Sequence, residues 1–167
     1  MYSEEKSGLF NAIDIANYLN FLHNNKFNRD ISPLKLQKVL FFLFGEWGGF
    51  IEKSDHDNDG MQLLEYSKYL FDDEFEAWVY GPVVPNVYRN FSNEQSNGED
   101  IFIDDKLLYV KNFINDLALE LFELSDFRLV ELSHQMKCWI NNFKTTDDFH
   151  DRTIDKDVII SEFANQF

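Results

Sequence analysis

The sequence predicts a mainly α-helical fold, a single domain of six or seven helices with a short β-strand or hairpin inserted. Apolar residues recur at steps of three and four over most of the chain, and only one short segment alternates as a strand does. Hydrophobic residues make up 44% of the 167 residues, so the chain can build a core of its own. We expect one domain over residues 1–167, with its core at about 12–163.

The first two helices have clear start signals. Residues 11–25 carry apolar and polar residues on opposite helical faces, which predicts an amphipathic helix ending near Asn24. Ser32 followed by Pro33 is a side-chain cap before a residue suited to the first helical position. A second helix is therefore expected to begin there.

The second helix is apolar around most of its circumference. One broad stripe contains Leu36, Val39, Leu40, Leu43, Phe44 and Trp47. Phe41 and Phe42 fill much of the remaining surface, so this helix is expected at the centre of the domain. Its end is predicted at Gly45, Gly48 and Gly49, which allow a turn or the close approach of a neighbour.

The middle of the chain contains the predicted β element. Residues 75–80 alternate in a β-prone run, and Gly81 with Pro82 stops it, as expected for one strand or half a hairpin. Pro85 can open a short helix. Residues 92–100 form a polar loop rich in Asn, Ser and Glu.

The C-terminal half predicts further helices. Asp104 or Asp105 can cap a long helix with an unbroken apolar stripe. Ser125 restarts a helix, a further helical segment surrounds Trp139, and Asp155 caps the last helix.

Composition restricts the class of partner. Thirty acids against 15 bases give a net charge of −15, which repels nucleic acid phosphates and favours basic partners. The alternative is that the acidic surface only prevents self-association. With Cys138 as the only cysteine, no apolar run of the ~18 residues that a membrane span needs and no signal peptide, a cytoplasmic protein is expected.

A calcium loop is half present. Asp55, Asp57, Asp59 and Gly60 have the spacing of its first half. The second half fails, because Glu65 lies one position too early for the bidentate ligand. A solvated acidic turn is the favoured interpretation, and no cofactor is expected.

Two further constellations suggest chemistry. Glu131 with His134 and Asp147 with His150 form Glu-x-x-His-like pairs, but a dinuclear metal site also needs carboxylates from two other helices. His134 stands four residues before Cys138, a spacing at which a thiolate and a base can touch. A buried structural cysteine is favoured over a nucleophile.

A local excess of positive charge surrounds the start of the central helix. Lys26, Arg29, Lys35 and Lys38 against Asp30 give a local charge of +3, and Lys35 and Lys38 share a face. These bases form either a contact patch for an acidic surface or internal partners for the protein's own acids.

Three motifs together resemble the Panacea domain family, a phage-associated domain earlier known without a function. They are Ser32 to Phe42 (SPLKLQKVLFF), Phe75 to Tyr88 (FEAWVYGPVVPNVY), and Leu132-Ser133-His134 with Trp139. The resemblance implies a mostly α-helical antitoxin of a bacterial or phage toxin–antitoxin system, which neutralises a cognate toxin by direct protein contact without catalytic residues. The positions that match the family pattern are Leu36, Gln37, Lys38, Ala77, Tyr80, Gly81, Pro82, Val83, Tyr88, Ser133, His134 and Trp139.

Residues for partner binding follow from these motifs and from the chemistry of interfaces, where aromatic side chains dominate. The candidates are Lys35, Lys38, Trp78, Tyr80, Gly81, Pro82, Val83, Tyr88 and His134. The alternative is that many of them pack the turn against the central helix. As other functions, a metal-binding domain or metal-dependent enzyme and an acidic DNA mimic stay open.

Overall fold

The computed structural model describes residues 7–54, 65–93, 98, 101–143 and 152–166. Its elements, in chain order, are α1 (Ala12–Phe27), α2 (Pro33–Ser54), β1 (Phe75–Trp78), β2 (Gly81–Val83), α3 (Pro85–Asn90), α4 (Asp105–Phe122), α5 (Asp126–His134), α6 (Lys137–Phe143), β3 (Thr153–Ile154) and α7 (Lys156–Asn165). The prediction of a mainly α fold with a small β insertion is confirmed. No helix in the described part is long and apolar enough to cross a membrane.

Side-chain caps start the helices where the sequence predicts them. Ser32 Oγ accepts a hydrogen bond from the backbone N–H of Lys35 at 3.1 Å. Asp104, Ser125 and Asp155 accept in the same way from the first turns of α4, α5 and α7. Each such cap stabilises its helix by about 1 kcal/mol, so local chemistry sets these boundaries.

Helix α2 lies at the centre of the domain and continues to Ser54, so the predicted end at its glycines is wrong. The three glycines serve close approach instead, because α7 packs directly against them. A Cβ atom added at Gly45 would lie 2.1 Å from the ring of Phe163, and one at Gly48 would lie 2.4 Å from Ile160. Because these glycines have no side chains, α7 packs directly against the backbone of α2, which continues as a helix.

Aromatic rings fill the core on one side of α2. Phe41 contacts Phe75 and Phe163 edge-to-face, with ring centroids 5.5 Å apart in both pairs. Phe44 adds contacts to Phe71 at 5.0 Å and to Phe75 at 5.5 Å. The β element is thus anchored to α2 by its inward face.

The sheet has the strand order β2-β1-β3 with antiparallel pairing. Trp78 pairs with Gly81, so the hairpin turns through Val79 and Tyr80. Gly81 has a φ of +112°, a conformation that side chains disfavour, as its place after the β-prone run suggested. Strand β3, only two residues long, was not predicted.

Candidate partner-binding site

An apolar groove of about 480 Å³ lies between the start of α2 and the β1–β2 hairpin. We call it the α2–hairpin groove. The residues that line it are Pro33, Leu34, Gln37, Lys38, Trp78, Val79, Tyr80, Val83, Tyr88 and Arg152. The structure therefore brings together Lys38, Trp78, Tyr80, Val83 and Tyr88 from the predicted set. Gly81 and Pro82 form the strand behind them.

The rim of the groove is apolar and exposed. Val79, Tyr80 and Tyr88 are 59%, 60% and 64% exposed. Trp78 is half-buried and packs edge-to-face on Tyr88, with ring centroids 5.0 Å apart, while its indole N–H donates to Glu76 Oε1 at 3.0 Å. Clustered exposed apolar side chains of this kind mark surfaces that bind partners.

Gln37 closes the outer edge of β2 with two hydrogen bonds. Its Nε2 donates to the carbonyl of Val84 at 3.3 Å, and its Oε1 accepts from the N–H of Val84 at 2.8 Å. The side chain thereby replaces the ladder bonds that a further strand would make. Because Gln37 is buried, the hairpin is fixed to α2 rather than only resting on it.

Lys38 holds the same edge one residue further along α2. Its Nζ donates to the carbonyl of Pro82 at 2.7 Å, and its side chain is fully buried. Desolvation lowers the pKa of this amine from its usual 10.5 to about 7. A Cβ atom at Gly81 would lie 2.8 Å from Lys38 Cε and 2.5 Å from Ser133 Oγ, so only glycine fits between these side chains.

Helices α5 and α6 hold the hairpin from its other side. Trp139 Nε1 donates to the carbonyl of Trp78 at 2.8 Å. His134 Nε2 lies 3.0 Å from the carbonyl of Val79, and because a carbonyl only accepts, this nitrogen donates. The His134 and Trp139 rings stack with centroids 4.2 Å apart. His134 therefore supports the turn from behind.

Lys35 and Lys38 do not form an exposed basic patch, which was one of the two interpretations of the local positive charge. Lys35 is 8% exposed, donates to the carbonyl of Phe122 at 2.9 Å and lies 3.7 Å from Asp126 Oδ1. Both lysines project from a helix that is buried on nearly all sides, so their amines reach carbonyls of neighbouring elements. Lys35 thus pairs with one of the protein's own acids, as the alternative interpretation held, whereas Lys38 bonds a backbone carbonyl instead.

The described parts of the metal and nucleophile constellations have structural roles. Glu131 pairs with Arg128 at 2.7 Å, and His134 is engaged by the hairpin. Among the described residues no group of three or more His, Cys, Asp or Glu side chains is placed to hold a metal ion. The calcium-loop residues Asp55, Asp57, Asp59 and Gly60, together with Asp147, His150 and most of the 92–100 loop, lie outside the described residues.

Cys138 is buried, and its surroundings oppose the thiolate. Desolvation, reinforced by the carboxylate of Glu162, raises the pKa of this thiol well above its ordinary value. The backbone N–H of Cys138 donates to Glu162 Oε1 at 2.7 Å. The residue fits the structural role that the sequence favours for it.

The partner-binding candidates predicted from the sequence did not include five residues of the groove, namely Pro33, Leu34, Gln37, Val79 and Arg152. The alternation of residues 75–80 predicts Val79 as one member of a strand. Its place two residues before Gly81 was the usable signal, because the two central residues of a tight hairpin turn point to solvent. Nothing local identified Arg152, which reaches the groove only because β3 pairs with β1.

The hairpin lies in a stretch of sequence that matches a known class of protein, the SocA-like antitoxins. The family model described as "Antitoxin SocA-like, Panacea domain" matches residues 58–140, which include the hairpin, α4, α5 and the start of α6. The chain therefore matches this Panacea family over about half of its length, as the resemblance predicted. The first motif, with Gln37 and Lys38, precedes the matched stretch.

A curated relative agrees with this assignment. Antitoxin SocA of Caulobacter vibrioides (strain NA1000 / CB15N) is 36% identical over 74 residues, which is 44% of this chain and 30% of the relative. The chain thus matches less than a third of that relative's length. No solved structure matches this chain.

Proposed function

We propose that this protein is an antitoxin that neutralises a cognate protein toxin by direct contact, and that the α2–hairpin groove is the contact surface. The match to the Panacea family supports the antitoxin role. The observation that carries the choice of surface is the exposed rim formed by Val79, Tyr80 and Tyr88 over a hairpin held on both sides.

The rigidity of the hairpin supports binding. Ordering a loop at an interface reduces affinity, and a surface that is ordered before binding avoids that cost. Here Gln37 and Lys38 fix one edge of the hairpin, and Trp139 fixes the carbonyl of Trp78. Tyrosine and tryptophan side chains on such a support are the residue types that contribute most to binding energy.

The proposal also covers where the protein acts, the charge of its toxin and the absence of catalysis. The antitoxin acts in the cytoplasm, and its toxin is basic overall, since a chain of charge −15 attracts a positive surface. Neutralisation by contact requires no catalytic residue in the antitoxin. Of the described candidates for catalysis, His134 is hydrogen-bonded to the hairpin and Cys138 is buried.

The test is co-expression with the product of a neighbouring reading frame. Growth is expected to be rescued by the wild-type protein and lost in the Tyr80→Ser/Tyr88→Ser double variant, because both exposed rings leave the rim. Tyr109→Ser is the matched control, since Tyr109 is 44% exposed on α4 and does not line the groove. The proposal fails if toxicity is unchanged by the wild-type protein and no complex elutes from a sizing column.

A further inference from the structure

The charges that line the α2–hairpin groove have the opposite sign to the protein as a whole. Acids outnumber bases 30 to 15 in the chain. Among the described residues that line the groove, however, the charged side chains are Lys38 and Arg152, and neither is acidic. Glu76, on the same face of β1 as Trp78, accepts from the Trp78 indole N–H and does not line the groove. The groove lining is therefore apolar, and the charged side chains in it are basic.

Lys38 places an amine beneath the groove, and its pKa of about 7 leaves this amine partly protonated at neutral pH. Its amine donates to a neutral carbonyl, and no carboxylate of the described residues lies within 4.0 Å of it. A buried ammonium in apolar surroundings acts at longer range than one in water, because solvent screens it less. An anion in the groove would favour the protonated form of Lys38 and gain from its field.

Arg152 is the cation that an incoming group can reach. Its backbone carbonyl accepts from the N–H of Ala77 at 2.9 Å, which ties the residue to β1. Its guanidinium lies over the ring of Phe143, 5.9 Å from the centroid, and the side chain is half-buried. A guanidinium held in this way presents its planar fork to a carboxylate.

We propose that the groove receives a segment of the partner protein in which a large apolar side chain stands next to a carboxylate. The apolar side chain fills the space between Leu34, Trp78 and Val83, and the carboxylate pairs with Arg152. This inference rests on the proposed function, because the segment belongs to the toxin. It also means that a toxin of basic overall charge presents a locally acidic segment.

The probe is a synthetic peptide, Gly-Leu-Trp-Glu-Gly, acetylated at its N-terminus and amidated at its C-terminus so that Glu carries its only charge. Two matched peptides replace Glu with Gln or Lys. Binding is followed by NMR through the shift of the Trp78 indole N–H, which reports on the groove itself. The Glu peptide is expected to bind about tenfold more tightly than the Gln peptide, the gain of one charge pair, and the Lys peptide most weakly.

Arg152→Gln is expected to abolish the difference between the Glu and Gln peptides while the fold, checked by circular dichroism, is retained. Arg128→Gln is the control, since Arg128 is exposed and pairs with Glu131, and it is expected to keep the difference. Equal binding of the Glu and Gln peptides, preference for Lys, or no shift at millimolar peptide would overturn the inference. So would a dimer that the peptide dissociates, because a second copy would then occupy the groove.

The experiments can contradict the proposed function and this inference independently of each other. If the groove prefers the Glu peptide but the protein rescues no growth, the chemistry of the groove is supported and the antitoxin role is contradicted. Rescue that depends on Tyr80 and Tyr88 without any preference for Glu supports the antitoxin role and overturns this inference.

Discussion

Lys38 shows most clearly how one residue connects the sequence to the site. It stands in the N-terminal half of a helix that is apolar around most of its circumference, and this position favours burial of the lysine. That signal was present in the sequence, where Phe41 and Phe42 lie one turn beyond it. The sequence could not reveal that Pro82 supplies the acceptor, because that contact joins residues 44 positions apart.

The titration of Lys38 predicts a pH dependence of stability. Its pKa is about 7 in the folded chain and 10.5 when unfolded, so between these values the unfolded chain binds a proton that the folded chain does not. The free energy of unfolding therefore rises with pH through this window. In Lys38→Met this contribution is absent. Between about pH 7 and about pH 9, the free energy of unfolding of wild type is expected to rise by roughly 2 kcal/mol relative to that of the variant.

Urea unfolding of both proteins across this range checks the prediction, and taking their difference removes the titration of other groups. Lys137→Met is the control, because Lys137 is exposed on α6, and its profile is expected to run parallel to that of wild type. If the Lys38→Met profile also ran parallel to wild type, the buried amine would not be neutralised on folding.

At the scale of elements, the sequence predicted where helices begin better than where they end. Starts depend on local chemistry, as the caps Asp104, Ser125 and Asp155 show. The end of α2 was misplaced because glycine signals both a helix end and a close helix contact, and only the position of α7 distinguishes them. Strand β3 was missed because two residues carry no periodicity, and β1 alone makes them a strand.

The contact between α2 and α7 predicts an unusual response to a glycine substitution. Replacing a glycine inside a helix by alanine normally stabilises it by about 1 kcal/mol. Gly45→Ala is expected to do the opposite, with a net loss of about 1–3 kcal/mol, because the new Cβ atom meets the buried ring of Phe163. Thermal and urea unfolding measure the change.

A double-mutant cycle tests the cause of that loss. Phe163→Leu replaces the ring by a smaller branched side chain that lacks Cε2 and Cζ, so Gly45→Ala is expected to cost less in this background than in wild type. Equal losses in both backgrounds would contradict the packing account. A stabilising Gly45→Ala in wild type would show that α7 can shift away from α2.

At the scale of the whole molecule, the charge of −15 and the groove act over different distances. The net charge produces a field felt before contact, and salt at about 0.1 M screens it beyond roughly 10 Å. The groove acts only after contact, through the side chains of Trp78, Tyr80 and Tyr88. Composition alone could predict the first effect. The second required the fold, because Gln37, Lys38 and Trp139 hold the hairpin in place from distant parts of the chain.

These two effects predict separate changes in the kinetics of toxin binding. If the acidic field steers a basic toxin, the association rate constant falls steeply, on the order of tenfold, as salt rises from low to physiological concentration. Tyr80→Ser is expected to leave this salt dependence unchanged and to raise the dissociation rate constant, since most interface substitutions act on dissociation. Surface plasmon resonance with the co-purified toxin measures both constants.

An association rate that is independent of salt would show that the toxin is not basic overall. If Tyr80→Ser associated faster and its dissociation rate constant were unchanged, Tyr80 would not belong to the contact surface.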